Sequence, residues 1–137
     1  MKYLIDTDWV INHLKGESRV VAKLEELVPE GVAISVISLA ELYEGVYYFK
    51  DPVKGQQFLE EFLAPDLKVL NVDQEVCKIF GKERGRLRQQ KKMISDFDLV
   101  IASTCLYHNL TLLTNNRRHY EMIEGLNILP LILKNPS

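Results

Sequence analysis

The chain has few of the residues that build covalent or metal-stapled scaffolds: two cysteines and three histidines in 137 residues. Cys77 and Cys105 share no metal-ligand spacing. Set in helical patterns among apolar neighbours, both read as small buried hydrophobes in a reducing compartment. His13, His108 and His119 are scattered with no partner at ligand spacing, which argues against zinc chemistry. Long hydrophobic runs are missing too. The longest near the middle, residues 32–40, contains serines and is far too short to span a bilayer. Asp6 interrupts any signal-peptide core at the amino terminus, so a soluble cytoplasmic protein is expected. Repeats, low-complexity tracts and linkers are also absent, and residues 1–137 read as one domain with a core of its own. A content of 47% hydrophobic and 26% charged residues belongs to a folded chain, not a disordered one.

Nor does charge of one sign dominate: the net is −2, which by itself predicts no nucleic-acid partner. Its distribution is uneven. Residues 82–92, KERGRLRQQKK, carry six basic residues against one acid, and the rest of the chain is correspondingly acidic. Arg84, Arg86, Arg88, Lys91 and Lys92 are therefore candidate contacts to a phosphate backbone. A solvated helix face is the other explanation of the same run.

What the sequence does contain is regular alternation of strand-like and helix-like segments. Strands are expected over residues 2–5, 32–36, 68–71, 111–113 and around 126–129. Between them fall helical patterns over about 8–14 and 17–27 (broken at Gly16), 38–49, a segment started by Pro52 and stopped by Pro65, a long helix N-capped by Asp73, and 97–108. The Pro29-Glu30-Gly31 turn separates the first helical stretch from the second strand. Such alternation predicts a three-layer α/β/α sandwich with a central, mostly parallel five-stranded sheet.

Three acids occupy the ends of these elements. Asp6 follows the strand Leu4-Ile5, Glu41 lies one turn beyond the second strand, and Asp98 opens the stretch Leu99-Val100-Ile101-Ala102. Such positions gather at the carboxyl edge of a parallel sheet, where ligands bind. Two carboxylates about 4 Å apart at an effective dielectric of 20 repel by roughly 4 kcal/mol. That repulsion suggests a hard divalent cation, and with it phosphate-ester chemistry. A structural explanation stands beside it. Ser38-Leu39-Ala40-Glu41 and Ser95-Asp96-Phe97-Asp98 both fit a capping box, and Asp6, Thr7 or Asp8 could cap the first helix. Asp8 and Asp96 read as solvent-exposed caps.

Four segments, Leu4-Ile5-Asp6-Thr7-Asp8, Ser38-Leu39-Ala40-Glu41-Leu42-Tyr43-Glu44-Gly45-Val46, Asp98-Leu99-Val100-Ile101-Ala102 and Leu112-Leu113-Thr114-Asn115-Asn116, occur in one order over nearly the whole chain. Together with Arg118-His119-Tyr120 and Gly125-Leu126, they resemble a PIN domain, and most closely the VapC toxins of toxin–antitoxin pairs. The resemblance implies a Mg²⁺- or Mn²⁺-dependent endoribonuclease whose metal-binding acids are Asp6, Glu41 and Asp98. The fourth catalytic position, often an aspartate in the family, falls on Asn116, a neutral ligand for a metal-bound water or a phosphate oxygen. Thr7 and Thr114 would support the acids through their hydroxyls. The implied partners are an RNA substrate, a VapB-type antitoxin and a second copy of the chain.

Two competing readings remain. Asp6-Thr7-Asp8 also resembles the opening of haloacid-dehalogenase-type phosphatases, and a catalytically degenerate PIN module would bind RNA or protein without cutting. A surplus of apolar side chains over 38–49 (Leu39, Leu42, Tyr43, Val46, Tyr47, Tyr48 and Phe49) predicts an exposed patch. The resemblance makes that patch a homodimer interface and a groove for an amphipathic antitoxin segment. A basic antitoxin residue would then lie near Asp6 and Asp98.

Overall fold

Side chains along a strand point alternately to its two faces, and in this chain both faces are apolar. In the computed structural model, which describes residues 1–63 and 67–130, this yields a sheet buried on both sides. Tyr3 and Ile5 of β1 (Tyr3–Ile5), Val32 and Ile34 of β2 (Val32–Ser35) and Leu113 of β4 (Thr111–Leu113) pack to one side with Trp9, Leu24, Leu42 and Leu59. Leu4, Ala33 and Leu112 pack to the other with Leu87, Leu99, Ala102 and Tyr120. With β3 (Leu67–Leu70) and β5 (Ile128–Leu129), the strands form a five-stranded sheet in the order β3-β2-β1-β4-β5, every pairing parallel.

The first face is covered by α1 (Thr7–Leu14), α2 (Ser18–Leu27), α3 (Val36–Gly45) and α4 (Pro52–Leu63). The second is covered by α5 (Gln74–Gln89), α6 (Asp96–His108) and the single turn α7 (Arg117–Tyr120). Strand order explains the division. The chain steps from β1 to β2 to β3 in one direction, then returns to place β4 on the opposite side of β1. Parallel crossovers keep one hand, so reversing the direction moves the helices to the other face. Between β1 and β4 the connections diverge and leave a crevice at the carboxyl ends of the strands.

Gly31 sets the start of that arrangement. Its φ of +95° belongs to glycine, and a Cβ there would stand 2.7 Å from Met1 Cα. Its carbonyl accepts from both Lys2 N and Tyr3 N at 3.0 Å, which locks β1 in register with β2.

Several expectations from the sequence need correction. β2 ends at Ser35, one residue early, because the Ser35 hydroxyl accepts from Ile37 N (3.1 Å) and starts α3 at Val36. The β-branched pair Val36-Ile37 looked strand-like but forms the first helical turn. α3 then closes at Gly45, and residues Val46–Tyr48 form a 3₁₀ turn. Cys77 is exposed on α5; only Cys105 is the buried hydrophobe expected, and its burial pushes the thiol well above the ordinary range. Asp73 does cap α5, accepting from Val76 N at 3.0 Å. The stop assigned to Pro65 lies outside the described residues. Among those residues no helix is long and apolar enough to cross a membrane.

Candidate functional site

Asp6 sits at the centre of the crevice. β1 ends at Ile5, yet Asp6 N still reaches Leu113 O of β4 (2.9 Å), so the backbone is held by the sheet while the side chain caps α1. One carboxylate oxygen accepts from Thr7 N (2.8 Å) and the other from the Thr114 hydroxyl (2.8 Å). Thr114 in turn accepts from Asn116 N at 3.1 Å. Asp6 is only 4% exposed. Burial pushes its carboxyl above the ordinary range, Asp98 adds to the push, and the Thr114 and Thr7 hydrogen bonds pull back.

Glu41 lies in the second turn of α3, not at N3, because the helix begins at Val36, two residues before Ser38. The expected capping box is therefore absent: Ser38 is buried inside the helix, its hydroxyl without a hydrogen-bond partner among the described residues. Glu41 instead accepts from the Thr7 hydroxyl at 2.8 Å. Its carboxyl is also raised, chiefly by burial and further by Asp6 and Asp98, against the Thr7 bond.

Asp98 reaches the same place from α6. Ser95 caps that helix by accepting from Asp98 N (3.2 Å), which is half of the expected capping box. The Asp98 carboxylate turns elsewhere: one oxygen accepts from the Tyr120 hydroxyl (3.1 Å) and the other contacts His119 Nδ1 (3.2 Å). Tyr120 is fully buried, and burial together with the charges of Asp6 and Asp98 drives its hydroxyl far above the ordinary range, so it stays a neutral donor.

The sequence reading missed Asp8. It is not an exposed cap but is largely buried, accepting from Asn115 N at 2.9 Å across the crevice, while Trp9 Nε1 donates to Asn115 Oδ1 (3.3 Å). Its other oxygen has no partner among the described residues, and burial plus the Asp6 charge push its carboxyl up to about 6. No local signal in the chain marks this contact, which spans 107 residues. Tyr120 was visible only as part of the resemblance.

Asn116 lies at the mouth of the site with an exposed side chain that makes no hydrogen bond among the described residues. The basic run divides. Arg84 bonds Ile94 O (3.0 Å) and Asp96 (2.6 Å), which makes Asp96 an ion-pair partner as well as an exposed first-turn acid. Arg86 bonds Glu83 (2.8 Å) and Met122 O (3.0 Å). Arg88, Lys91 and Lys92 are exposed.

The donor set is hard oxygen throughout. Among the described residues no three of Asp, Glu, His or Cys stand close enough to form a finished metal cage; each acid is steered by its own hydroxyl donor. Their fields still overlap, since Asp98 raises both Asp6 and Glu41. That arrangement suits a cation that keeps much of its water shell and needs only one or two direct carboxylates, as Mg²⁺ does.

The sequence profile of the PIN domain matches residues 3–124. The chain is 33% identical over 129 residues to "Ribonuclease VapC1" of Methanocaldococcus jannaschii, covering 93% of this chain and 86% of that protein. The chain belongs to the PIN-domain family, among the VapC proteins. Solved VapC-containing structures share the PIN fold seen here. VapBC2 of Rickettsia felis, bound to a promoter DNA fragment, superposes with a TM-score of 0.87 at 30% identity, covering 95% of this chain and 98% of that one. DNA-bound VapBC of Salmonella typhimurium does so with 0.88 at 26% identity, covering 96% and 98%.

Proposed function

We propose that this protein is a divalent-metal-dependent endoribonuclease, the toxin of a VapBC-type pair, acting in the cytoplasm on RNA phosphodiesters. The observation that carries the reading is the convergence of Asp6, Glu41 and Asp98 at one sheet edge with no lysine or arginine paired to any of them among the described residues. Asp6 and Asp98 would hold Mg²⁺ or Mn²⁺, and Glu41 would hold it or orient a water. When bound, the metal supplies Lewis acidity and a more acidic water for attack on phosphorus. The chain's own residues do the positioning. Thr7 ties Asp6 to Glu41, because its N–H donates to one and its hydroxyl to the other. Thr114 orients the second Asp6 oxygen, and neutral Tyr120 orients Asp98 without cancelling its charge. Asn116, whose side chain is exposed, would offer its amide to a phosphate oxygen.

The partner side of the proposal rests on exposed aromatics. Leu42 and Val46 are buried, but Tyr47 and Tyr48 are 70% and 80% exposed, and Phe58 of α4 adds to the apolar surface. A groove lined by Leu14, Phe49 and Phe58 runs between α1 and α4. An amphipathic antitoxin helix suits such a groove, and a second copy of the chain suits the tyrosine patch. Light scattering tests the dimer: a strict monomer at high micromolar concentration contradicts it.

The test of the activity is cleavage of RNA by the purified protein in Mg²⁺ or Mn²⁺, with products bearing a 5′-phosphate and a 3′-hydroxyl. Chelator and Asp98→Asn should each abolish it. Cutting that survives the chelator, or a metal-replete Asp98→Asn protein working at the wild-type rate, overturns the assignment.

A further inference from the structure

Beside Asp98 lies a second recess that the carboxylate chemistry does not use. A cavity of about 170 Å³ opens between the start of α6 and α7, with Asp98 as one wall. Its apolar lining comes from Met93, Ile94 and Met122, and its cationic and heteroaromatic lining from Arg118 and His119. Met93 is 80% exposed, so its thioether is open to a ligand. Arg118 is exposed and makes no ion pair among the described residues.

The walls are fixed from behind by the basic run. Arg84 holds the Ile94 carbonyl and the Asp96 carboxylate, pinning the segment that carries Met93, Ile94 and Ser95. Arg86, itself clamped by Glu83, holds the Met122 carbonyl. Two arginines read from the sequence as phosphate contacts are thus committed to shaping the recess, and Arg118 is the cation that faces it.

We infer that this recess is a subsite for one nucleobase of single-stranded RNA next to the scissile phosphate, with Met93 and Met122 against the base face and Arg118 on the adjoining phosphate. The inference rests on the endoribonuclease reading. An apolar lining beside a guanidinium with no ion pair among the described residues suits a nucleotide. A bare phosphate would leave the methionines without a purpose, and an apolar ligand would leave Arg118 without one. Thioethers pack well against aromatic rings, and unpaired bases are recognised by stacking with backbone charge contacts. Arg84 and Arg86 are positioning residues for the pocket, not contacts to RNA.

The three methionines, Met1, Met93 and Met122, allow a direct test. Protein labelled with ¹³C at the methionine methyls is titrated, in Mg²⁺, with the four nucleoside 5′-monophosphates and separately with ribose 5-phosphate. Met93→Leu and Met122→Leu assign the signals; Met1, which packs near Gly31, is the internal control. At least one nucleotide should shift the Met93 and Met122 methyls saturably while Met1 stays in place. Ribose 5-phosphate should move neither, and Arg118→Ala should weaken nucleotide binding about tenfold, within the range of a single stacking or phosphate contact. Unmoved methyls, equal shifts with ribose 5-phosphate, or an unchanged affinity in Arg118→Ala overturns the subsite. Cleavage measured on the same preparation separates the two claims. RNA cutting with unmoved methyls rejects the subsite alone, whereas shifted methyls without cutting reject the endoribonuclease.

Discussion

The two strongly charged regions of this molecule follow opposite rules. Along α5, two arginines are matched internally: Arg84 meets Asp96 at 2.6 Å and Arg86 meets Glu83 at 2.8 Å, and both also satisfy carbonyls of neighbouring segments. At the carboxyl edge of the sheet, negative charge is concentrated and has no lysine or arginine partner among the described residues; of the basic side chains, His119 alone touches Asp98. Asp6, Glu41 and Asp98 receive hydrogen bonds from Thr114, Thr7 and Tyr120, which orient the carboxylates without neutralising them. The first arrangement stabilises walls. The second is costly, because burial and mutual repulsion raise Asp6 and Glu41. Unmatched charge that the surrounding fold keeps in place marks a functional site better than charge alone does.

The sharpest way to break this contrast is at the acids. Asp6→Asn or Asp98→Asn should lower RNA cleavage by more than about 100-fold, the upper range for losing a group that merely orients a metal ligand. Circular dichroism should be unchanged and the metal-free protein slightly more stable, since a repelling charge is gone. A metal-free variant less stable than wild type would show that these carboxylates serve the fold.

Asp8 sharpens the comparison, because its folded-state carboxyl is raised from 3.8 to about 6. Between those values the folded state holds its proton more tightly than the unfolded chain does. Stability from this residue is therefore present in acid and lost as pH rises from about 4 to 6, a penalty of up to about 3 kcal/mol at neutral pH. Asp8→Asn, whose carbonyl can still accept from Asn115 N, should be more stable than wild type at pH 7 in urea melts and equal to it below pH 4. Equal stability at pH 7 would show that the buried charge is compensated.

Thr114 joins Asn116 N to Asp6 through one hydroxyl. Thr114→Val leaves both groups short of a partner and should cost about 1–3 kcal/mol, while Thr114→Ser should recover most of it. The smallest effects belong to the basic run. Arg84→Ala should cost about 1 kcal/mol. Lys91→Glu with Lys92→Glu should leave stability within about 0.5 kcal/mol of wild type, yet weaken RNA binding and flatten its salt dependence if this face meets phosphate. Unchanged RNA affinity at low and moderate salt would make the run a solvated face.

Local rules made the layer order, the five strands and the ends of most helices legible in the chain, because Gly31, Pro52, Asp73 and Ser95 each act on immediate neighbours. The same rules misplaced Ser38. Two serines three residues apart could each cap α3, and which does so depends on where β2 leaves the sheet. Asp8 and Cys77 were misread for a related reason: helical position is local, but burial is decided by what packs opposite. Asp8 is covered by the turn after β4, more than a hundred residues away, whereas Cys77 faces solvent on a helix that buries Val76 and Leu87. Arg84 and Arg86 counted as free charge in the sequence because their partners, Asp96 and the carbonyls of Ile94 and Met122, are brought to them only by folding. Of the candidate site, Asp6, Glu41 and Asp98 could be named from strand ends and resemblance. The resemblance also named Thr7 and Thr114 as hydroxyl supports, and their hydroxyls donate to Glu41 and Asp6, but it did not name the Tyr120 hydroxyl on Asp98.

The central claim is that unmatched charge at the sheet edge is there to hold a divalent cation, and thermal melting with and without metal tests it most directly. Saturating Mg²⁺ should raise the Tm of the wild-type protein by mass action, with about 2.7 kcal/mol of stabilisation at a hundredfold excess over Kd, and should leave Asp98→Asn nearly unmoved. A wild-type Tm indifferent to Mg²⁺ and Mn²⁺, or an equal rise in Asp98→Asn, would contradict the account.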